Sequence, residues 1–330
     1  MLCGSISPQD RWSELKEQLQ LPEARSRLIE FFEQISKIRA FEETIAEGYR
    51  DRRLPGLLHL SMGSEATAAG VIGALTGDDK IYSSHRPHGH FLASGSDPAR
   101  LLAELAGMEG GLCRGRAGSM HLMDDRAVMA TGIVGGTISI ALGHSLTLEP
   151  PSIAVSFFGD GAVQTGTFHE TLNMAALWKA PVVFVCENNE RIEFSSREEH
   201  TPVADITGYG HLYGMRSERV DGCDAEAVYQ SFSNLSQDAR NRIGPALLVC
   251  DISRLRPHYE GDLRQQEAVV DPLERCISRL TQLGWDKEEL EKRHDQAIKD
   301  ARTLLDSVLK EGVLPDPADD ISLVFRKPLP

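Results

Sequence analysis

The first hydrophobic pattern in the chain is helical. Residues 24–50 carry apolar side chains three and four positions apart, the spacing of one face of an α-helix. The apolar positions are Leu28, Phe31, Phe32, Ile35, Ile38 and Phe41. We predict an amphipathic packing helix here, within an N-terminal helical arm that takes in residues 1–50.

Residues 54–145 follow a different pattern, because glycine and histidine recur through them. Glycine weakens a helix and permits tight turns, so this stretch predicts loops and short helices rather than long ones. Loops of that composition are typical of a backbone that approaches a ligand closely.

A third pattern begins at residue 153 and is typical of strands. Short apolar runs occur at IAVSFF, PVVFVC and ALLVCDIS, and a helical segment from Thr167 to Lys179 separates the first two. A strand, a helix and a strand at this spacing predict a parallel sheet flanked by helices, so the fold class is α/β. Thr167 and Glu170 fit a capping box, which predicts that this helix begins near residue 167. We assign residues 51–270 to the α/β domain.

Residues 271–330 return to a helical pattern. The apolar positions are Leu273, Ile277, Leu280, Leu304, Leu305 and Val308 in a charged background. They predict a C-terminal helical segment that packs and carries no chemistry, followed by an extended tail at LPDPADDISLVFRKPLP.

Composition narrows the functional classes. The 330 residues are 41% hydrophobic, which suffices for a large core, and the net charge of -14 argues against a general affinity for nucleic acid or anionic membranes. Six scattered cysteines without a CxxC pair indicate a reducing compartment. The N-terminus shows no secretory pattern and no stretch reaches the roughly 18 apolar residues of a membrane helix. We therefore expect a cytoplasmic protein.

The first candidate functional residues follow the apolar run IAVSFF, in GDGAVQTG at residues 159–166. The N-terminus of the helix that follows a parallel strand favours an anion, which Asp160 would repel unless a divalent cation lay between them. The next apolar run ends in Glu187, Asn188 and Asn189. Each motif alone is explained by an ordinary turn, but together they pair Asp160 with Asn188 or Asn189 as a candidate Mg²⁺ site.

These motifs resemble a known family. GDG followed by Asn189 is similar to the thiamine diphosphate motif, and FHETLNMAALWKAPVVFVCENN resembles the alpha subunits of 2-oxo acid dehydrogenases, a group that includes the pyruvate, branched-chain and acetoin enzymes. The likeness covers nearly the whole chain and is closest in style to the acetoin branch. It continues in order through IRAFEE (38–43), PGLLHLSMGSEA (55–66), SSHRPHGH (83–90), GRAGSMH (115–121), GIVGG (132–136) and RLRPH (254–258).

The resemblance implies a thiamine diphosphate-binding fold and a role for each matching residue. Asp160, Asn189 and the carbonyl of Arg191 would hold Mg²⁺. The cofactor-binding set would be His85, Arg86, Gly132, Val134, Gly159, Asp160, Gly161, Ala162, Asn189, Arg191 and His258. Within it, Arg86 would pair with the diphosphate, and Gly132 and Val134 would meet the aminopyrimidine. His59 and His258 would be the catalytic histidines, whereas His88, His90 and His121 have no assigned role.

The resemblance also implies partners. In the family, a separate beta subunit supplies the glutamate that activates the cofactor, and two alpha and two beta subunits form a heterotetramer. The alpha chain alone would be inactive. The substrate would be a 2-oxo acid or acetoin, and a lipoyl-bearing acyltransferase would accept the product.

Two segments depart from the family pattern and leave alternatives open. ERIEFSSREEH (190–200) replaces a short stretch of aromatic and small residues, and Tyr259 stands where serine is common. Glu190 and Glu193 either face away from the cofactor or alter the choice of substrate. A carboligase or acyl transferase subunit that does not use a lipoyl acceptor is therefore a second hypothesis, and a non-catalytic assembly subunit is a third.

Overall fold

A parallel sheet forms the centre of the computed structural model, which describes residues 22–262 and 270–316. The strands are β1 (Lys80–Ser83), β2 (Ala127–Ala130), β3 (Ala154–Gly159), β4 (Val182–Asn188), β5 (Arg191–Ile192), β6 (Ser195–Ser196), β7 (Arg216–Asp221) and β8 (Ala246–Asp251). Six of them form one parallel sheet in the order β2–β1–β3–β4–β8–β7. Strands β5 and β6 form a separate antiparallel hairpin.

Helices cover both faces of the sheet. The described residues form α1 (Pro22–Arg50), α2 (Glu65–Gly73), α3 (His88–Ala93), α4 (Pro98–Leu105), α5 (Gly136–Ser145), α6 (Gly166–Trp178), α7 (Thr207–Leu212), α8 (Ala225–Arg240), α9 (Pro272–Gln282) and α10 (Lys287–Glu311). Helices α5, α6 and α7 pack on one face, and α2 and α8 on the other. This arrangement confirms the predicted α/β fold with a parallel sheet flanked by helices.

Strand β4 shows why the apolar runs predict strands. Val183 and Val185 pack with α8, whereas Phe184 and Cys186 pack with α5 and α6. A strand buried on both faces is apolar over a continuous run, here Val182 to Cys186, because neither face meets water. All seven residues of β4 are buried.

The two terminal helical segments pack together. Helix α1 contacts α2, α9 and α10, and its apolar face buries Phe32 and Ile35 against α9 and α10. The predicted helix over residues 24–50 is thus present, as is the helical segment after residue 271. The predicted tail lies outside the described residues beyond residue 316. Among the described helices, none is long and apolar enough to cross a membrane.

Helix α6 begins at Gly166, near the predicted residue 167, but the predicted capping box is wrong. The N-cap is Thr165, whose hydroxyl accepts the backbone N–H of Phe168 at 3.3 Å. A short 3-10 turn over Asp160–Gln164 precedes it and leaves Thr165 in the extended backbone conformation that an N-cap requires. The capping box of Thr167 and Glu170 is therefore not formed, and the helix begins at Gly166.

Candidate cofactor site

The carboxyl ends of β3 and β4 lie side by side. These parallel neighbours pair Gly159 with Glu187, so Asp160 and Asn189 follow the strands at the same edge of the sheet. The β5–β6 hairpin covers the turn after β3, and a Cβ atom at Gly161 would lie only 2.9 Å from Cγ1 of Ile192. The turn needs glycine here because a larger residue has no space.

A cavity of about 340 Å³ opens at this edge. The residues that the motifs singled out all line it, namely His59, His85, Arg86, Gly132, Val134, Gly159, Asp160, Gly161, Ala162, Asn189, Arg191 and His258. They come from the ends of two strands and from four loops that are distant in sequence. Their convergence on one cavity is a property of the fold, and their roles toward a cofactor stay predictions.

Arg86 is a buried cation in the wall of this cavity. Its guanidinium donates to the backbone carbonyls of Leu60 at 2.6 Å and His258 at 2.8 Å, and its exposed fraction is 8%. Burial, followed by repulsion from Arg254, lowers the pKa of Arg86 to about 10, so it stays charged at neutral pH. A buried cation held by carbonyl groups can bind an anionic ligand.

Three histidines cluster at the cavity. The ring centroid of His59 lies 5.1 Å from that of His85 and 4.9 Å from that of His258. Burial, with the charge of Arg86, lowers the pKa of His59 to about 3 and the pKa of His85 well below its ordinary value. Both imidazoles are therefore neutral at physiological pH. The Nδ1 atom of His59 has no hydrogen-bond partner among the described residues.

Asp160 is buried, with an exposed fraction of 2%. Burial raises the pKa of Asp160 to about 7, against hydrogen bonds from the backbone N–H groups of Asp160 and Asn189. Its Oδ2 atom has no hydrogen-bond partner within the described part of the chain. An unpaired buried carboxylate oxygen is unfavourable on its own, so this atom fits a bound cation.

Glu190 and Glu193, in the segment that departs from the family pattern, lie in different places. Glu190 lies toward Arg197 at 3.2 Å and Arg219 at 3.5 Å, and it borders a second, polar cavity instead of the first. Glu193 lines the first cavity, and its carbonyl accepts a hydrogen bond from Arg254 at 3.2 Å. Of these two glutamates, Glu193 alone lines the first cavity.

The motifs left several cavity-lining residues unnamed, among them Met120, Thr131, Ile192 and Arg254. Met120 and Arg254 lie inside the recognised motifs GRAGSMH and RLRPH, so their positions could have predicted that they line the cavity. Ile192 lies in the segment that departs from the family, where no motif marks it.

The histidines without an assigned role hold loops in place. The contacts are His88 with Glu42 at 3.2 Å and Ser119 at 3.0 Å, His90 with Ser83 at 2.8 Å, and His121 with Thr131 at 3.4 Å. None of the three lines the first cavity.

Comparison with known proteins gives the family. The sequence model of the dehydrogenase E1 component matches residues 33–303. The chain is 37% identical over 287 residues to the alpha subunit of acetoin:2,6-dichlorophenolindophenol oxidoreductase from Bacillus subtilis (strain 168), covering 86% of each chain. It is 37% identical over 253 residues to the Cupriavidus necator protein of that name, covering 75% of this chain and 76% of the relative.

A third relative is the pyruvate dehydrogenase E1 component subunit alpha of Rhizobium meliloti (strain 1021). It is 32% identical over 302 residues, which are 87% of this chain and 86% of the relative. These matches extend over most of both chains, and the family match at residues 33–303 includes the strands and loops that form the cavity. The chain therefore belongs to the dehydrogenase E1 component family, which confirms the family predicted from its motifs.

Proposed function

We propose that the chain is the alpha subunit of a dehydrogenase that decarboxylates a 2-oxo acid or cleaves acetoin and passes the acyl group to a lipoyl domain. Family membership implies thiamine diphosphate as the cofactor. The relatives are named as alpha subunits of an acetoin oxidoreductase and of pyruvate dehydrogenase. The observation that carries the proposal is the convergence of buried Arg86 and Asp160 on one cavity at the strand ends.

The residues present fit a Mg²⁺ ion bound together with a diphosphate. Asp160 offers the unpaired Oδ2 atom, and Asn189 and the carbonyl of Arg191 would complete a set of hard oxygen donors, which Mg²⁺ prefers. Within the described ranges, no cluster of three or more His, Cys, Asp or Glu side chains could hold a metal. A cation here would thus take its remaining ligands from phosphate and water, as Mg²⁺ commonly does.

Each part of the cavity would have a task. When bound, thiamine diphosphate supplies a nucleophilic carbon and an electron sink for cleavage beside a ketone carbonyl. Arg86 would bind the diphosphate, and Gly161 and Ala162 would present backbone to it. His59 and His258 would lie near the substrate, where an imidazole can donate or accept a hydrogen bond.

The alpha chain supplies part of the active site. Among the described residues, Glu193 is the glutamate in the cavity wall, and its side chain is exposed. We therefore assign activation of the cofactor to a glutamate of a beta subunit, in a heterotetramer of two alpha and two beta chains. We also propose that the protein is cytoplasmic. The division of the chain into an N-terminal helical arm (1–50), an α/β domain (51–270) and a C-terminal helical segment with its tail (271–330) is likewise a proposal.

The proposal is tested by replacing Asp160 with asparagine in the chain co-purified with its beta subunit. We expect Asp160→Asn to weaken Mg²⁺-dependent binding of thiamine diphosphate at least about tenfold, measured by calorimetric titration. Reduction of an artificial electron acceptor by a 2-oxo acid or acetoin should fall with it. Unchanged Mg²⁺ dependence in this variant would show that the metal site is wrongly assigned.

The matched control is Asp221→Asn. Asp221 also ends a strand of the sheet, but its side chain is 48% exposed and pairs with Arg275 outside the cavity. This variant should bind the cofactor like the wild type. Because both changes remove one carboxylate at the same edge of the sheet, the comparison separates loss of a ligand from loss of charge.

Glu193 in the cavity wall favours one alternative, a carboligase or acyl transferase subunit without a lipoyl acceptor. Product analysis with and without a lipoyl domain distinguishes the two enzymes. Strict dependence of turnover on the lipoyl domain would exclude the alternative. A non-catalytic assembly subunit predicts no binding of thiamine diphosphate in the calorimetric titration.

A further inference from the structure

The loop between α4 and β2 is wrapped around a buried carboxylate. Glu104, near the end of α4, has an exposed fraction of 0%. Its Oε2 atom accepts the backbone N–H groups of Cys113 at 2.7 Å and Gly115 at 2.8 Å. Its Oε1 atom accepts those of Ala117 at 2.7 Å and Gly118 at 3.2 Å. Both oxygens are thus used to hold the loop.

Two glycines allow the backbone to close around Glu104. A Cβ atom at Gly111 would lie 2.4 Å from the Oε2 atom of Glu104. Gly115 has φ +72°, and a Cβ atom there would lie 2.5 Å from the carbonyl carbon of Gly107. The loop is therefore shaped for this carboxylate. Backbone N–H groups satisfy the hydrogen-bonding capacity of a carboxyl group that is buried away from water.

The loop that Glu104 holds continues into the wall of the first cavity. Met120 lines that cavity. A Cβ atom at Gly132 would lie 3.3 Å from Sδ of Met120 and 3.5 Å from Nε2 of His121, so these side chains pack directly on the Gly132 backbone. Displacement of the loop would therefore shift Met120 and His121 away from Gly132 and change the wall of the cavity.

We propose that Glu104 is a positioning residue for the cofactor cavity. Its carboxylate fixes residues 113–118 and thereby sets the placement of Met120 and His121 against Gly132. The assignment rests on the proposed function for the identity of the ligand, which is thiamine diphosphate. Glu104 itself does not line the cavity and acts through the loop.

The test is Glu104→Gln in the complex with the beta subunit. Glutamine keeps the shape of the side chain, but its NH2 group would face two backbone N–H groups that have lost their acceptor. We expect the affinity for thiamine diphosphate to fall about tenfold. The turnover number at saturating cofactor should be largely retained. Amide hydrogen exchange should accelerate at residues 113–118 ahead of the rest of the chain.

Glu109→Gln is the matched control. Glu109 pairs with Arg114 and Arg116 of the same loop, but from its exposed side. This variant should keep the cofactor affinity of the wild type. Equal affinities for Glu104→Gln and the wild type, with or without faster exchange in the loop, would overturn the assignment.

A measurement on the wild type covers the case in which Glu104→Gln does not fold. Coupling between two sites is reciprocal, so cofactor binding should slow exchange of the amides of residues 113–118. Binding of thiamine diphosphate without that protection would overturn the positioning role alone. A wild-type complex that does not bind thiamine diphosphate would overturn the proposed function and, with it, this assignment.

Discussion

At the scale of single residues, burial sets the charges in the cavity. Arg86 keeps its positive charge because a pKa of about 10 still lies above neutral pH. His59 and His85 are neutral because burial and the nearby charge of Arg86 disfavour their protonated forms. The cavity thus combines a fixed cation with uncharged imidazoles. The cation would attract an anionic group, and the neutral imidazoles would offer hydrogen-bond donors and acceptors.

The low pKa of His59 predicts a pH dependence of stability. The unfolded chain binds a proton at His59 near pH 6.5, but the folded chain binds it only near pH 3. The contribution of neutral His59 to the free energy of unfolding is therefore fully present above pH 6.5, and it is lost as the pH falls toward 3. Relative to His59→Asn, the wild type should lose about 1.4 kcal/mol of unfolding free energy per pH unit between pH 6 and 5.

Denaturant unfolding of the cofactor-free chain measures this difference. At pH 8 the histidine is neutral in both states, so the gap between the two proteins reports only packing. A gap that is the same at pH 8 and pH 5 would show that His59 protonates equally in the folded and unfolded chains.

The sequence specified part of the cavity at this scale. Residues within recognised motifs, such as Arg86 and Asp160, converge in space because each follows a strand or begins a helix of the sheet. Ile192 escaped prediction because its place over Gly161 depends on how the β5–β6 hairpin folds back. The spacing of apolar residues carries no signal for such a contact.

At the scale of elements, one buried arginine joins three helices. Arg39 of α1 donates to Glu65 at the start of α2 at 2.6 Å and to Asp271, the N-cap of α9, at 2.9 and 3.0 Å. Burial alone would lower the pKa of Arg39, but Glu65 and Asp271 raise it above its ordinary value. Glu65 also accepts the N–H group of Gly63, at 2.7 Å. The pairing orients the terminal helices toward the sheet.

Loss of one partner should therefore be costly. Glu65→Gln leaves the buried guanidinium of Arg39 with a single carboxylate, and we expect the free energy of unfolding to fall by about 3 kcal/mol. Glu47→Gln is the control, because its pair with Arg302 is exposed and contributes less than about 1 kcal/mol. Chemical denaturation of both variants checks the difference. Equal losses would show that Arg39 is not a junction between the helices.

The elements that sequence analysis missed lack a side-chain pattern of their own. Strands β1 and β2 have four residues each, too few to show a period. Strand β7 reads RSERVD and is largely polar, because it lies at the edge of the sheet and, among the described strands, pairs with β8 alone. Backbone pairing with a neighbour makes these segments strands. By contrast, β3 and β4 are recognisable because both of their faces are buried.

At the scale of the whole molecule, α5, α6 and the loop before α5 carry exposed apolar side chains. We call this set the α5–α6 face; its exposed residues are Ile133, Val134, Ile140, Met174, Leu177 and Trp178. Ile133 and Val134 also line the cavity, so a partner that covers these two residues also closes the cavity. An apolar surface of this kind marks an interface. We propose the beta subunit as its occupant, because the relatives are named as alpha subunits.

Leu177→Asp tests this interface. Leu177 is 75% exposed, so the change should alter the stability of the separate chain by no more than about 0.5 kcal/mol. In the complex it would bury an unpaired carboxylate, which should weaken association with the beta subunit at least about tenfold. The control is Val313→Asp after α10, which is 70% exposed and lies outside the α5–α6 face.

Sedimentation of the co-purified subunits measures the effect. Dissociation of the Leu177→Asp complex at concentrations where the Val313→Asp complex stays intact supports the assignment. Dissociation should also lower the affinity for thiamine diphosphate, because Ile133 and Val134 would be uncovered and the cavity would open to water. A Leu177→Asp complex as stable as the wild type would place the beta subunit on another surface, and the cavity would then need a different element to close it.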